Sequence, residues 1–187
     1  MSSEAPPLEA AISATLSRSW DIFKQDFVLY LLATLAVAIL GAVSLGILIA
    51  PLSVGLIMVI RRKMAGDASV GVGDIFQGFS KFVPALLASI AIFIGVFIGS
   101  ILLVLPGLFV AFVVSYTFHV MVYEEAGMVE SIKRSVRLTL DNALFTLLML
   151  VIAGVINGIG AVVAVGGLVT GPFTAVMLTV AYEEITK

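Results

Sequence analysis

The residues able to do chemistry in this chain are few, and they stand apart. His119 is the only histidine; it precedes Glu124 by five positions, with Ser115, Tyr116 and Thr117 just upstream. A lone histidine can shuttle a proton or bind a ligand. It cannot build a metal site alone, and a chain without cysteine has no thiolate to add. The acidic pairs Glu124-Glu125 and Glu183-Glu184 have the chemistry for acid and base work or for Mg2+. Their position at the ends of apolar runs reads instead as solvated caps, facing Arg61 and Arg62. Asn157 lies deep in an apolar run, where an amide needs a partner on a neighbouring helix or on a substrate. The stretch "GVGDIFQG" at 71–78 has the glycines of a nucleotide loop without the strand and helix that give such a loop its function. No nucleophile stands beside a base, so the expectation is a protein that is not an enzyme and carries no metal or cofactor.

The elements that must position these residues are dictated by composition. The chain is 61% hydrophobic and only 12% charged, with a mean hydropathy of +1.21, against about 25% charged residues in a soluble domain. The charges fall in four zones, Glu4 to Asp26, Arg61 to Lys81, Glu124 to Asp141 and Glu183 to Lys187, separated by the charge-free runs 27–60, 82–123 and 142–182. Runs of that length without a charge indicate an integral membrane protein. The first 26 residues hold four acidic side chains and lack a basic start before a short apolar core, so no cleavable signal peptide is expected. A net charge of −2 gives no reason to expect nucleic acid.

As one helix, residues 27–60 would extend about 50 Å, against a hydrocarbon core of about 30 Å. Each run therefore has to double back. Breakers stand near the middle of all three: Gly41, Gly46 and Pro51, then Pro106-Gly107, then Gly166-Gly167 and Gly171-Pro172. This predicts a single all-α membrane domain over 1–187, with six transmembrane helices in three hairpins at 27–63, 82–124 and 142–184. Every charged zone then falls on one face. Arg18, Lys24, Arg61, Arg62, Lys63, Lys81, Lys133, Arg134 and Arg137 make that face cytoplasmic by the positive-inside rule. The expected location is the cell (inner, cytoplasmic) membrane, multi-pass, with both termini in the cytoplasm.

Each hairpin is preceded by a segment with helical apolar spacing. At 8–26 the stripe is Leu8, Ile12, Leu16, Trp20, Phe23 and Phe27; at 128–141 it is Val129, Ile132, Val136 and Leu140. The middle copy, 74–81, is short, with Asp74 placed to cap it. These segments are expected to lie in the cytoplasmic interface, stripe toward the acyl chains, with Lys133, Arg134, Arg137, Arg61, Arg62 and Lys63 in contact with lipid headgroups. The ends of the second and third hairpins rhyme, "VYEEAG" at 122–127 with "AYEEIT" at 181–186, so the unit is an approximate threefold repeat. Gly95-x-x-x-Gly99 and Gly154-x-x-x-Gly158 fall at similar depth and are expected to pack helices within the chain, with assembly between subunits as the alternative.

"LPGLFVAFVVSYTFHVMVYEEAGMVESIKRSVRLTLDN" and "GPFTAVMLTVAYEE" resemble the membrane domain associated with glycerophosphoryl diester phosphodiesterases and the related uncharacterised six-helix membrane families of bacteria and archaea. The matching positions are Pro106-Gly107, Glu124, Ser131 and Ser135 with Arg134 and Leu138, and Gly171-Pro172. Where that family often has aromatic and Arg residues before the glutamate, this chain has Ser115-Tyr116-Thr117. The resemblance implies the fold and a membrane location, and no phosphodiesterase activity, because that belongs to a separate catalytic domain. The expected role is a non-enzymatic structural or accessory subunit that organises membrane lipids, alone, as a homo-oligomer or in a larger membrane complex. A small-molecule permease or channel is the alternative suggested by broken helices and repeats.

Overall fold

In a computed structural model the described residues are 7–102, 104–162 and 166–187, and every regular element among them is helical. Glu4, in the first charged zone, lies outside them. The order is α1 Leu8–Gln25, α2 Phe27–Val43, α3 Ile49–Met64, a 3-10 helix Val72–Lys81, α4 Phe82–Leu102, α5 Val104–Val113, α6 Thr117–Tyr123, α7 Met128–Asp141, α8 Ala143–Val162 and α9 Gly166–Ile185.

Three helical stretches are long and apolar enough to cross a membrane: Val72–Ile101, Leu105–Tyr123 and Ala143–Ala161. A fourth is available if α1 and α2, bent by 89° at Asp26, count as one. The two helices of the first pair have 17 and 16 residues, so each rises about 25 Å and falls just short of a full bilayer core. The breakers act where the sequence places them, except Gly171-Pro172, which lies inside α9 without interrupting it. After α2 the chain turns over 44–48, with Leu45 and Gly46 at positive φ, and the Gly46 N–H donates to the Gly41 carbonyl at 2.8 Å. Pro51 sits in the first turn of α3, where its missing N–H costs nothing. Pro106-Gly107 lies at the start of α5.

The helices associate as α2 with α3, α4 with α5, and α8 with α9. Buried side chains are densest in α3, in α6 beyond the end of α5, and in the second half of α9. α4 is the opposite, with Phe93, Phe97, Ile98 and Ile101 all more than half exposed. Such outward apolar faces are continuous surface that water would not tolerate.

The amphipathic segments pack mainly on helices other than the pairs they precede. α7 seats on α5 and α6, the 3-10 helix seats on α3, and α1 crosses to α9. Each therefore covers the second helix of the preceding pair, and α1 closes the cycle. The closest of these contacts explains the ten-residue 3-10 helix, an unusual length for that geometry. A Cβ at Gly78 would lie 2.0 Å from the Pro51 carbonyl oxygen, and one at Gly55 would lie 1.7 Å from that of Ile75. Backbone meets backbone there, and only glycine permits it. The segment also begins earlier than 74: Asp74 lies in its first turn and reaches back to accept from the Gly71 N–H at 2.7 Å.

Candidate functional site

The polar end of the molecule is organised by three seats. Arg18 of α1 meets Glu183 at 2.8 Å, and Arg134 of α7 meets Glu124 at 3.3 Å. The 3-10 seat has the opposite polarity, with Arg62 at the end of α3 meeting Asp74 of the incoming segment at 3.2 Å. The two Arg-bearing helices share the pattern Thr/Ser-x-x-Arg-Ser, "TLSRS" at 15–19 and "SIKRS" at 131–135. In both, the small polar residues face the protein: Thr15 and Ser19 in α1, Ser131 and Ser135 in α7, all buried.

At the centre of this end, the two rhyming segments clasp each other. Tyr123 donates to Glu183 at 2.9 Å, while Tyr182 donates to Glu124 at 3.2 Å. Their rings lie 5.0 Å apart, centroid to centroid. Arg61 lies 4.6 Å from the Tyr123 ring centroid and donates to the Val122 carbonyl at 2.9 Å. Of the acidic pairs, Glu125 shares a cavity with Arg61 and Arg62, while Glu124 and Glu183 turn elsewhere. Glu124 and Glu183 are taken by Arg134 and Arg18 with the two tyrosines, because those side chains reach the helix ends from the seated segments.

The expected headgroup cations separate into two sets. Arg62 is shared between Asp67 at 2.7 Å and Asp74, and Lys63, only 13% exposed, is bound to Asp26 at 2.8 Å. Ser69 and Arg62 together pull the Asp67 carboxyl down to about 2, through the Ser69 hydroxyl first and the guanidinium next. Arg61 borders a small cavity of about 220 Å³ with Gln77, Lys81 and Glu125. Lys133, Arg134 and Arg137 instead share a larger groove, about 710 Å³, between α7 and Leu87 of α4.

Around α7 the side chains divide into three faces. Ser131, Ser135, Leu138 and Thr139 are buried against the protein. Val129, Ile132, Val136 and Leu140 follow on the next face, with Val129 and Leu140 about half exposed. Glu130, Lys133, Arg134, Arg137 and Asp141 complete the circle. The protein-facing side was legible only as the Ser131 and Ser135 spacing; its function was not. Ser135 repairs a break: its Oγ accepts from the Tyr116 N–H at 3.1 Å and donates to the Val113 carbonyl at 3.1 Å, across the turn that parts α5 from α6.

The intramembrane candidates stay separate from one another. His119 is buried, stacked on Tyr182 at 5.6 Å, and its Nε2 lies 3.3 Å from the Thr179 hydroxyl. Asn157 is exposed and donates to Thr174 of α9 at 3.2 Å, a bond between neighbouring helices. The two glycine motifs differ. A Cβ at Gly99 would stand 2.8 Å from Gly107 of α5, and one at Gly95 would stand 3.2 Å from Val110, so this motif packs within the chain. Gly154 and Gly158 meet nothing within 4 Å. Their expected packing within the chain is corrected: α8 turns a different side to α9, where Gly160 meets Thr170 and Gly166.

The model of one protein family, a domain of unknown function (DUF7847), matches residues 3–185. No curated protein and no solved structure matches the chain.

Proposed function

We propose that this chain, which belongs to the DUF7847 family, is a non-enzymatic integral membrane protein that crosses the bilayer six times as three hairpins and organises lipid along one interface. The three-faced division of α7 carries the reading. A helix lying at the edge of a protein in the headgroup layer has three neighbours, namely protein, acyl chains and polar headgroups, and α7 offers each a matching face. Its four apolar residues contribute about 1.5 kcal/mol or more each when fully withdrawn from water. Lys133 and Arg137 add about 1 kcal/mol apiece near an anionic leaflet. The exposed apolar faces of α4, α5 and α8 support the same surroundings for the helix pairs. In this reading the charged ends, including both termini, lie on the cytoplasmic side, and the partners are membrane lipids, a second copy or a larger membrane complex.

Because the chain has no cysteine, single-cysteine variants test the topology directly. Ser69→Cys and Glu130→Cys should react with an impermeant maleimide from one side of sealed vesicles, and Ser44→Cys only from the other. Labelling of positions 69 and 130 from opposite sides would end the six-span reading.

A further inference from the structure

Lys133 and Arg137 stand one turn apart on α7, and neither has a carboxylate partner among the described ion pairs. Arg134 lies beside them and leans toward Glu124. With Glu130 they form one wall of the groove of about 710 Å³; Leu87 of α4 lies opposite, and Gly127, Met128 and Val129 close one end. We propose that this groove is a stoichiometric site for one anionic phospholipid, its phosphate held by Lys133 and Arg137 and its acyl chain laid along Leu87. The proposal rests on the membrane reading above and adds what occupies the site.

The charge balance selects the headgroup. With Arg134 paired to Glu124, Lys133 and Arg137 still outnumber Glu130 in the groove, so a phosphodiester neutralises an existing excess, whereas the ammonium of a zwitterionic lipid would be repelled. The guanidinium of Arg137 can hold two phosphate oxygens at once, and Lys133 supplies a point charge. α7 begins at the same end of the groove. Gly127 offers no side-chain cap there, which leaves first-turn N–H groups open to an anion. The volume lies within the range of ligand-sized clefts. A soluble phosphate would satisfy the cations alone. It would make no contact with Leu87 and Val129, 48% and 56% exposed beside the cations, whereas the acyl chain of the same lipid covers them.

The test uses the full chain, delipidated in mild detergent and observed by native mass spectrometry. Phosphatidylglycerol should be retained as one molecule per chain, and phosphatidylcholine, inorganic phosphate or glycerol phosphate at the same concentration should not. Lys133→Gln with Arg137→Gln should lower retention by about thirtyfold. Lys24→Gln with Lys187→Gln, the same charge loss elsewhere, should leave it unchanged. Should the double variant lose helix by circular dichroism, Leu87→Trp replaces it, since it fills the groove without altering its charge and must lower retention equally. Equal retention of both lipids, equal loss in the control, or binding of the soluble phosphates in place of lipid overturns the proposal. If maleimide labelling upholds the topology while phosphatidylglycerol shows no preference, only this inference fails.

Discussion

Ser135→Ala is the sharpest test of how the second helix pair is held together. The wild-type hydroxyl is fully buried and joins two backbone groups that the α5 to α6 break sets free, the Tyr116 N–H and the Val113 carbonyl. Alanine keeps the helix propensity of α7 and removes only the oxygen. A buried donor left without a partner costs about 1–3 kcal/mol, and the lost hydroxyl-to-carbonyl bond about 1 more. The expected destabilisation is therefore about 2–4 kcal/mol, a large share of an ordinary fold's margin. Ser135→Thr keeps the oxygen and should recover most of the loss if its extra methyl is accommodated. Ser13→Ala, where an exposed hydroxyl bonds only within its own turn to Ala10, should change stability by less than about 0.5 kcal/mol. The assay is reversible unfolding in mixed micelles, followed by the circular dichroism of the helices. A Ser135→Ala midpoint indistinguishable from that of Ser13→Ala would refute the claim that this hydroxyl repairs the break.

Three further outcomes are expected. Gly78→Ala should destabilise by about 1–3 kcal/mol or prevent folding, because its Cβ would lie 2.0 Å from a backbone oxygen; Gly154→Ala, in open space, should be neutral or slightly stabilising in the same unfolding assay. Tyr123→Phe and Tyr182→Phe should each cost about 0.5–1.5 kcal/mol, and a double-mutant cycle of Tyr182→Phe with Glu124→Gln should show coupling that Tyr182→Phe with Glu183→Gln lacks. The Asp67 carboxyl is held below its ordinary value of 3.8, so its stabilising contribution is present above pH 3.8 and fades as pH falls through about 2. Carbon NMR of that side chain should place its titration below 3.8, and Arg62→Gln should move it upward.

The alternation of amphipathic segments with apolar helices could be read from charge and breakers, which are local facts, but the break between α5 and α6, which no Gly or Pro marks, could not. Residues 8–26 and 128–141 are helical as their periodicity predicts, within a residue of the expected ends. Seating could not be read the same way. Which helix α1 covers depends on contacts between residues 165 positions apart, such as Arg18 with Glu183, and the apolar stripe is silent about them. The stripe was also a misleading guide to burial on α7. The face against the protein carries Ser131, Ser135 and Thr139, which a hydropathy count assigns to solvent; the Ser131 and Ser135 hydroxyls are satisfied by backbone groups inside, whereas the buried Thr139 hydroxyl has no partner among the described residues. The rhyme of Tyr123-Glu124 with Tyr182-Glu183 was visible. Its meaning, that each tyrosine serves the other's glutamate, required the two helix ends to be seen side by side.

The reversed polarity of one seat makes physical sense once the three are considered as competitors. Pairs this exposed, 42% and 23% for Arg18 and Glu183, contribute less than about 1 kcal/mol each, so they do not hold the molecule together. They can still choose between alternatives. An α1 or α7 helix arriving at the end of α3 would bring its arginine against Arg62, and a 3-10 segment arriving at α6 or α9 would bring Asp74 against Glu124 or Glu183. Both errors replace an attraction with a repulsion, which doubles the difference that a single pair provides. Between α1 and α7, which carry the same arginine pattern, charge cannot decide. There the connection does: five residues or fewer join α6 to α7, so that helix has only the adjoining seat within reach, and α1 is left with α9.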